Sequence, residues 1–167
     1  VNNKGYKYYL PNGVSILDDE EYNQILISEG TKIYLFVDII SYYNNEDIEY
    51  ESDNNLYKYI SLSSDEKNGY LKIFKYNDKF LVEMVYNYGI IEMLVDEDKL
   101  EKLVVNSAYI LSSIRYNRSI IEKLVGEGVF ESKENIYEIF GPASEEKNIL
   151  DYIKGNKEDI DESELIE

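Results

Sequence analysis

Residues 56–95 read as four strands laid head to tail. LYKYISL (56–62), YLKIFKY (70–76), FLVEMVY (80–86) and IIEMLV (90–95) are rich in β-branched and aromatic residues. The segments between them, SSDEKNG, NDK and NYG, supply the Asn, Asp and Gly that hairpin turns need. Connections this short join antiparallel neighbours, because a parallel crossover takes about a dozen residues or more. The chain is therefore committed to an antiparallel meander, and every other element has to be placed on or beside it.

Before the meander, GYKYYLP (5–11) predicts a short strand ended by Pro11. Asp18, with Glu21 three residues on, has the form of a capping box, so DDEEYNQILIS (18–28) is expected as a short helix stopped at Gly30. TKIYLFVDIISYY (31–43) is expected as one strand, apolar on both faces and hence central, with Asp38 the lone charge in it. After the meander, Asp96 is placed to cap EDKLEKLVVNSAYILSSI (97–114). Leu100, Leu103, Val104, Ser107, Ala108 and Leu111 form its inward stripe. A shorter helix, SIIEKLVGEG (119–128), follows with a capping box at Ser119 and Glu122. ENIYEIF (134–140) is expected as a late strand and SEEKNILDYIK (144–154) as a last helix. Strands first and helices later give an α+β fold: an antiparallel meander sheet with helices packed on one face, a single compact domain over 1–154. GNKEDIDESELIE (155–167), with six acids and one lysine, is expected to be a disordered acidic tail.

Composition removes whole classes of chemistry. The chain has no His and no Cys, so Ser–His–Asp and Cys–His catalysis, Cys/His zinc sites and iron–sulfur clusters are all excluded. The net charge of −17 disfavours direct nucleic-acid binding and anionic membrane surfaces, both of which require Lys and Arg. Heavy use of Tyr, Ile, Asn, Lys and Glu without Trp fits an AT-rich, low-GC bacterial coding sequence.

The order of meander and long helix, with AYILSSIRYN (108–117), resembles the PsbP/Mog1-type α+β sandwiches. It also resembles the extracytoplasmic domains that low-GC Gram-positive bacteria carry on a single N-terminal helix. The resemblance spans residues 69–117 and implies a binding or assembly module. It assigns no functional residue.

Three groups of residues are candidates for a site. Asp38 is expected to be a partly buried, partnered carboxylate with a structural role, since an unpaired one costs several kcal/mol to bury. The acids at 18–21 and 96–98 suit helix starts. NNEDIEYESDNN (44–55) offers oxygen ligands for calcium but has neither the glycine nor the spacing of a calcium loop, so no metal and no cofactor is expected. Tyrosine is the distinctive residue, with 18 copies. Tyr57 and Tyr59 on one strand, and Tyr70 and Tyr76 on the next, are expected to form an aromatic patch on the sheet if those strands pair.

The expected function is a non-enzymatic domain that binds a protein or cell-envelope partner. The chain opens VNNKGYKYY at Val1, and an upstream N-terminal anchor is expected to place it outside the cytoplasm of a bacterium. A simple domain cut and a cytoplasmic location are the alternative. Two rival readings are an acidic decoy occupying a nucleic-acid site on a basic partner, and a hydrolase built on two facing carboxylates. Ile160, Leu165 and Ile166 are isolated among acids, so ending the chain at Lys154 removes little apolar surface. The shortened chain should keep its melting temperature within about 2 °C, less than the shift that 1 kcal/mol produces in a domain of this size. A loss of several degrees would mean that the tail docks.

Overall fold

The computed structural model describes residues 5–48, 56–64 and 67–126. They belong to one compact unit that closes at Gly126. The expected strand at 134–140, the helix at 144–154 and the tail lie outside the described residues.

The meander is present. Strands β5 (Leu56–Ser64), β6 (Lys67–Tyr76), β7 (Lys79–Tyr86) and β8 (Gly89–Asp96) pair antiparallel in chain order. Three earlier strands extend it: β2 (Ser15–Glu20), β3 (Asn23–Ser28) and β4 (Thr31–Val37). The spatial order is β2-β3-β4-β8-β7-β6-β5, so β8 and β4 meet in the middle, and among the described strands β2 and β5 form the edges. The fold is α+β. Helix α2 (Leu100–Ser113) packs against β7 and β8, with Leu103, Ile110 and Leu111 fully buried against one sheet face. That face contributes Ile33, Leu35, Val82, Ile91, Met93 and Val95, none more than 1% exposed. Among the described residues no helix is long and apolar enough to cross a membrane.

Two expectations for the first half are corrected. Residues 18–28 form no helix. They span the β2–β3 hairpin, turning at Glu21, whose φ is +48°. Gln24, Leu26 and Ser28 are buried in strict alternation, so period two prevails once β3 can pair along its whole length with β4. The apparent capping box is a hairpin turn, and Gly30 (φ +76°) belongs to the next turn beside Glu29 (φ +51°) rather than to a helix end. Residues 31–43 are not one strand either. The strand ends at Val37, and Asp38 caps helix α1 (Ile39–Asn44).

The two helices expected directly after the meander are present, with different caps. A 3₁₀ turn (Glu97–Lys99) precedes α2, and Asp96 makes no side-chain cap bond; it pairs with Lys79 at 3.0 Å across the β7–β8 ladder. Helix α3 (Arg118–Gly126) starts one residue before Ser119, and its first turn is bonded by Asn117, whose Oδ1 accepts from the Ile120 amide at 3.2 Å. The strand expected at 5–11 is reduced to β1 (Tyr6–Lys7), which pairs with β9 (Arg115–Tyr116) outside the main sheet.

The β7–β8 turn locks the layers together. Asn87 and Tyr88 both have positive φ, +54° and +59°, as a type I′ hairpin turn requires. Gly89, expected as the turn glycine, is instead the first residue of β8. A Cβ there would lie 2.6 Å from Leu111 and 2.7 Å from Ile114, so its role is close packing under α2. The buried Asn87 side-chain amide donates to the carbonyls of Leu111 (3.1 Å) and Ile114 (2.9 Å), satisfying the C-terminal end of α2 from the sheet. Asn87→Gly keeps the backbone conformation and removes both bonds. It should lower stability by about 1–3 kcal/mol with an unchanged urea m-value. A change under about 0.5 kcal/mol would show that these bonds do not hold the helix down.

Candidate functional site

Asp38 is half-buried and fully used. Its Oδ1 accepts from the Ser41 amide at 3.0 Å, and its Oδ2 lies 2.7 Å from the Ser41 hydroxyl. Its own amide donates to the Tyr88 carbonyl at 2.8 Å. This is an N-cap on the helix that leaves the centre of the sheet. The Ser41 hydroxyl also lies 3.0 Å from Glu46, which accepts from Asn44 as well, so the described start of the acidic 44–55 segment is bonded into α1. Residues 49–55 of that segment lie outside the described residues. Among the described residues no group of three potential metal ligands comes together.

Above this cap, Tyr42 stacks on Tyr116 with ring centres 4.0 Å apart, and Tyr88 meets both edge-on. Burial, with the charge of Asp38 next, pushes the Tyr116 hydroxyl well above the usual tyrosine range, so it stays protonated and donates to the Asn87 carbonyl at 2.6 Å. A second group joins Tyr8, Gln24 and Asp19: the Tyr8 hydroxyl donates to the Gln24 side chain, whose amide donates to Asp19 at 2.7 Å. Burial is the main cause that raises the Tyr8 hydroxyl, with the charge of Asp19 second. Both groups are internal ties that use tyrosine rings for packing and hydroxyls as donors.

The four tyrosines expected to form a patch are divided. β5 and β6 do pair, setting Tyr59 opposite Lys72 and Tyr70 opposite Ser61, so Tyr59 and Tyr70 are neighbours on the sheet face away from α2. Alternation puts Tyr76 on that face too, opposite Lys79. A bulge between Leu56 and Lys58 turns Tyr57 to the other face. There its ring centre is 5.1 Å from that of Phe80, with the Lys75 ammonium 5.2 Å above it.

The face carrying Tyr59 and Tyr70 holds a feature that reading the strands one by one misses. A single cross-strand row runs Tyr34–Glu92–Glu83–Lys72–Tyr59 through β4, β8, β7, β6 and β5. Two carboxylates thus stand directly opposite each other, which would be destabilising if both were charged. Burial pushes the Glu92 carboxyl up to about 8, with the charge of Glu83 and a hydrogen bond to it adding to the effect. At neutral pH Glu92 carries its proton and bonds Glu83. Glu83 also faces Lys72 at 3.8 Å, both side chains being little exposed (15% and 11%), and it accepts from the Tyr70 hydroxyl. The Lys72 ammonium sits 4.9 Å over the Tyr70 ring. The sequence did contain the signal. A two-residue turn at 87–88 puts Tyr86 opposite Gly89, and counting back along both strands puts Glu83 opposite Glu92.

No family model matches the chain, and no curated protein matches it. Among solved structures, the chain is similar to cyanobacterial PsbP (CyanoP) from Synechocystis sp. PCC 6803, a solution structure. The likeness has 12% identity and a TM-score of 0.38 over 68% of this chain and 87% of that one. It is a distant resemblance of fold.

The carboxyl pair makes stability depend on pH. Glu92 ionises near its ordinary 4.5 when unfolded and near 8 when folded, so between these values the folded chain binds more protons. Its contribution is complete below about pH 4.5 and is lost as pH rises through 8, with a slope of at most about 1.4 kcal/mol per pH unit. Glu92→Gln keeps a hydrogen-bond donor toward Glu83 and cannot ionise. Urea unfolding at a series of pH values should show that the variant lacks this alkaline loss and exceeds the parent in stability above about pH 8. Parallel curves for the two proteins would contradict the assignment.

Proposed function

We propose that the chain is a non-enzymatic interaction domain that binds a protein or cell-envelope partner. We place it in the extracytoplasmic part of a membrane-anchored bacterial protein of the low-GC Gram-positive kind. The supporting observation is the surface of β5. In a chain of net charge −17, the nine residues of this edge strand carry one charge, Lys58, and no acid. They also expose Tyr57 (56%) and Ile60 (38%). An acid-free, aromatic-bearing strip on a chain of high negative charge has the composition of an interface core. The groups with chemical potential are engaged elsewhere: Asp38 caps a helix, and Glu83 is held by Glu92, Tyr70 and Lys72. The facing carboxyls of Glu83 and Glu92 share a buried site in which Glu92 holds its proton. The decoy reading rests on net charge alone, which speaks to association and not to mechanism.

A photo-crosslinking residue placed at Tyr57, and separately at exposed Glu101 as a control, tests this in the source cell. The expected result is a discrete adduct from position 57 that position 101 does not give. Equal patterns from both positions would overturn the proposal. A hydrolytic activity lost in both Glu83→Gln and Glu92→Gln would replace it with the hydrolase reading.

A further inference from the structure

Helix α2 carries apolar residues on both of its sides. Leu103, Ile110 and Leu111 are buried against the sheet, and a surface helix is usually polar opposite such a stripe. Here Val105 is 61% exposed and Tyr109 52% exposed, and Ala108, expected on the inward stripe, is exposed as well. Glu101, Val105, Ala108 and Ser112 recur at helical spacing and are all exposed, so they form one outward stripe with Tyr109 on its flank. The small side chains of Ala108 and Ser112 let another helix approach closely. The two ends of the stripe carry opposite charges. Glu97, Asp98 and Glu101 stand exposed at the start of α2, and none of them makes an ion pair. At the other end Arg115 is exposed and faces no acid. Its Nη1 donates to the carbonyls of Ser112 at 2.9 Å and Ile114 at 3.0 Å, which sets the guanidinium beside the last turn of the stripe.

We propose that the outer face of α2 pairs with the same face of a second copy of this chain, the two helices running antiparallel about a two-fold axis at Ala108. Symmetry and charge select the occupant. Position 108 is midway between 101 and 115, so the antiparallel match sets Glu101 of each chain against Arg115 of the other. Val105 of each chain then packs against the Ala108–Ser112 turn of the other. A parallel match would set the acidic ends together instead. The net charge of −17 opposes self-association in general. At physiological ionic strength, charges more than about 8 Å apart are largely screened, and the unlike charges at this contact are the close ones. One helix face buries less than the roughly 1,200 Å² of a stable complex, so the pair is weak, with a dissociation constant on the order of 10⁻⁴ M. This surface is separate from the strip on β5, and the inference does not rest on that reading.

Sedimentation equilibrium of the full chain at physiological salt, from about 10 μM to about 1 mM, reads this pairing directly. The parent should pass from monomer to dimer across that range. Val105→Glu places a charge in the middle of the contact and should weaken pairing by about tenfold or more. Glu101→Arg and Arg115→Glu each set like charges together at both ends of the contact, and each alone should weaken pairing by about tenfold. Mixed in equal amounts, these two variants restore opposite charges at both ends of a mixed dimer, so the mixture should pair within about threefold of the parent. Melting temperatures check the fold of each variant; if Arg115→Glu lowers its own, Val105→Glu and Glu101→Arg decide. A monomer throughout, dimers that Val105→Glu leaves unchanged, or a mixture of folded variants that pairs no better than either one alone would each overturn the proposal. A photo-crosslink from position 101 joins two copies of the chain under this proposal, and is thereby distinct from a partner adduct at position 57.

Discussion

Two hydrogen bonds from one side chain decide how the layers of this protein are stacked. The Asn87 amide, in the turn between the central strand β8 and its neighbour β7, donates to Leu111 and Ile114 at the end of α2. Helix C-termini leave carbonyls without partners, and here the sheet provides them. The same turn receives the Asp38 amide on the Tyr88 carbonyl and the Tyr116 hydroxyl on the Asn87 carbonyl. One hairpin turn therefore fixes α2, the start of α1 and the strand after α2 relative to the sheet. Tyr88 takes a left-handed backbone, an uncommon conformation for a bulky residue, and its ring meets the stacked pair of Tyr42 and Tyr116 edge-on.

With α2 fixed over β7 and β8, the rest of the sheet is left to manage its own surface. On the face away from α2, Glu83 and Glu92 are tolerated because burial keeps a proton on one of them and Lys72 and Tyr70 engage the other. Helix α2 packs on β7 and β8 rather than over the edges. β2 protects itself with acids and a bulge, and β5 does so only at its start. The asymmetry between these edges links the architecture to the interaction surface proposed at β5.

The meander was legible because each of its turns is short and carries its own turn residues, and a short turn fixes the pairing without tertiary help. Residues 18–28 were not, because acids followed by Gln and Ile suit a helix start as well as a strand, and only the partner β4 decides between them. Asp38 stood out as an anomaly within a strand; it is the ordinary first residue of a helix, and Ser41 three positions on was the available clue. Of the expected aromatic patch, Tyr59 and Tyr70 meet as pairing implied, whereas Tyr57 is lost to a bulge that no local pattern announces. The Glu83–Glu92 pair required register, which lies in the relation between two strands and not in either one.

Amide hydrogen exchange reads out whether the outer edge of β5 is open. An antiparallel edge strand pairs only every second N–H with its single neighbour. An open edge gives alternating behaviour from Ile60 to Ser64: slow exchange for the amides turned toward β6, and exchange near the unprotected rate for those turned away. Uniform protection along these five residues would contradict it, because the edge would then already be paired.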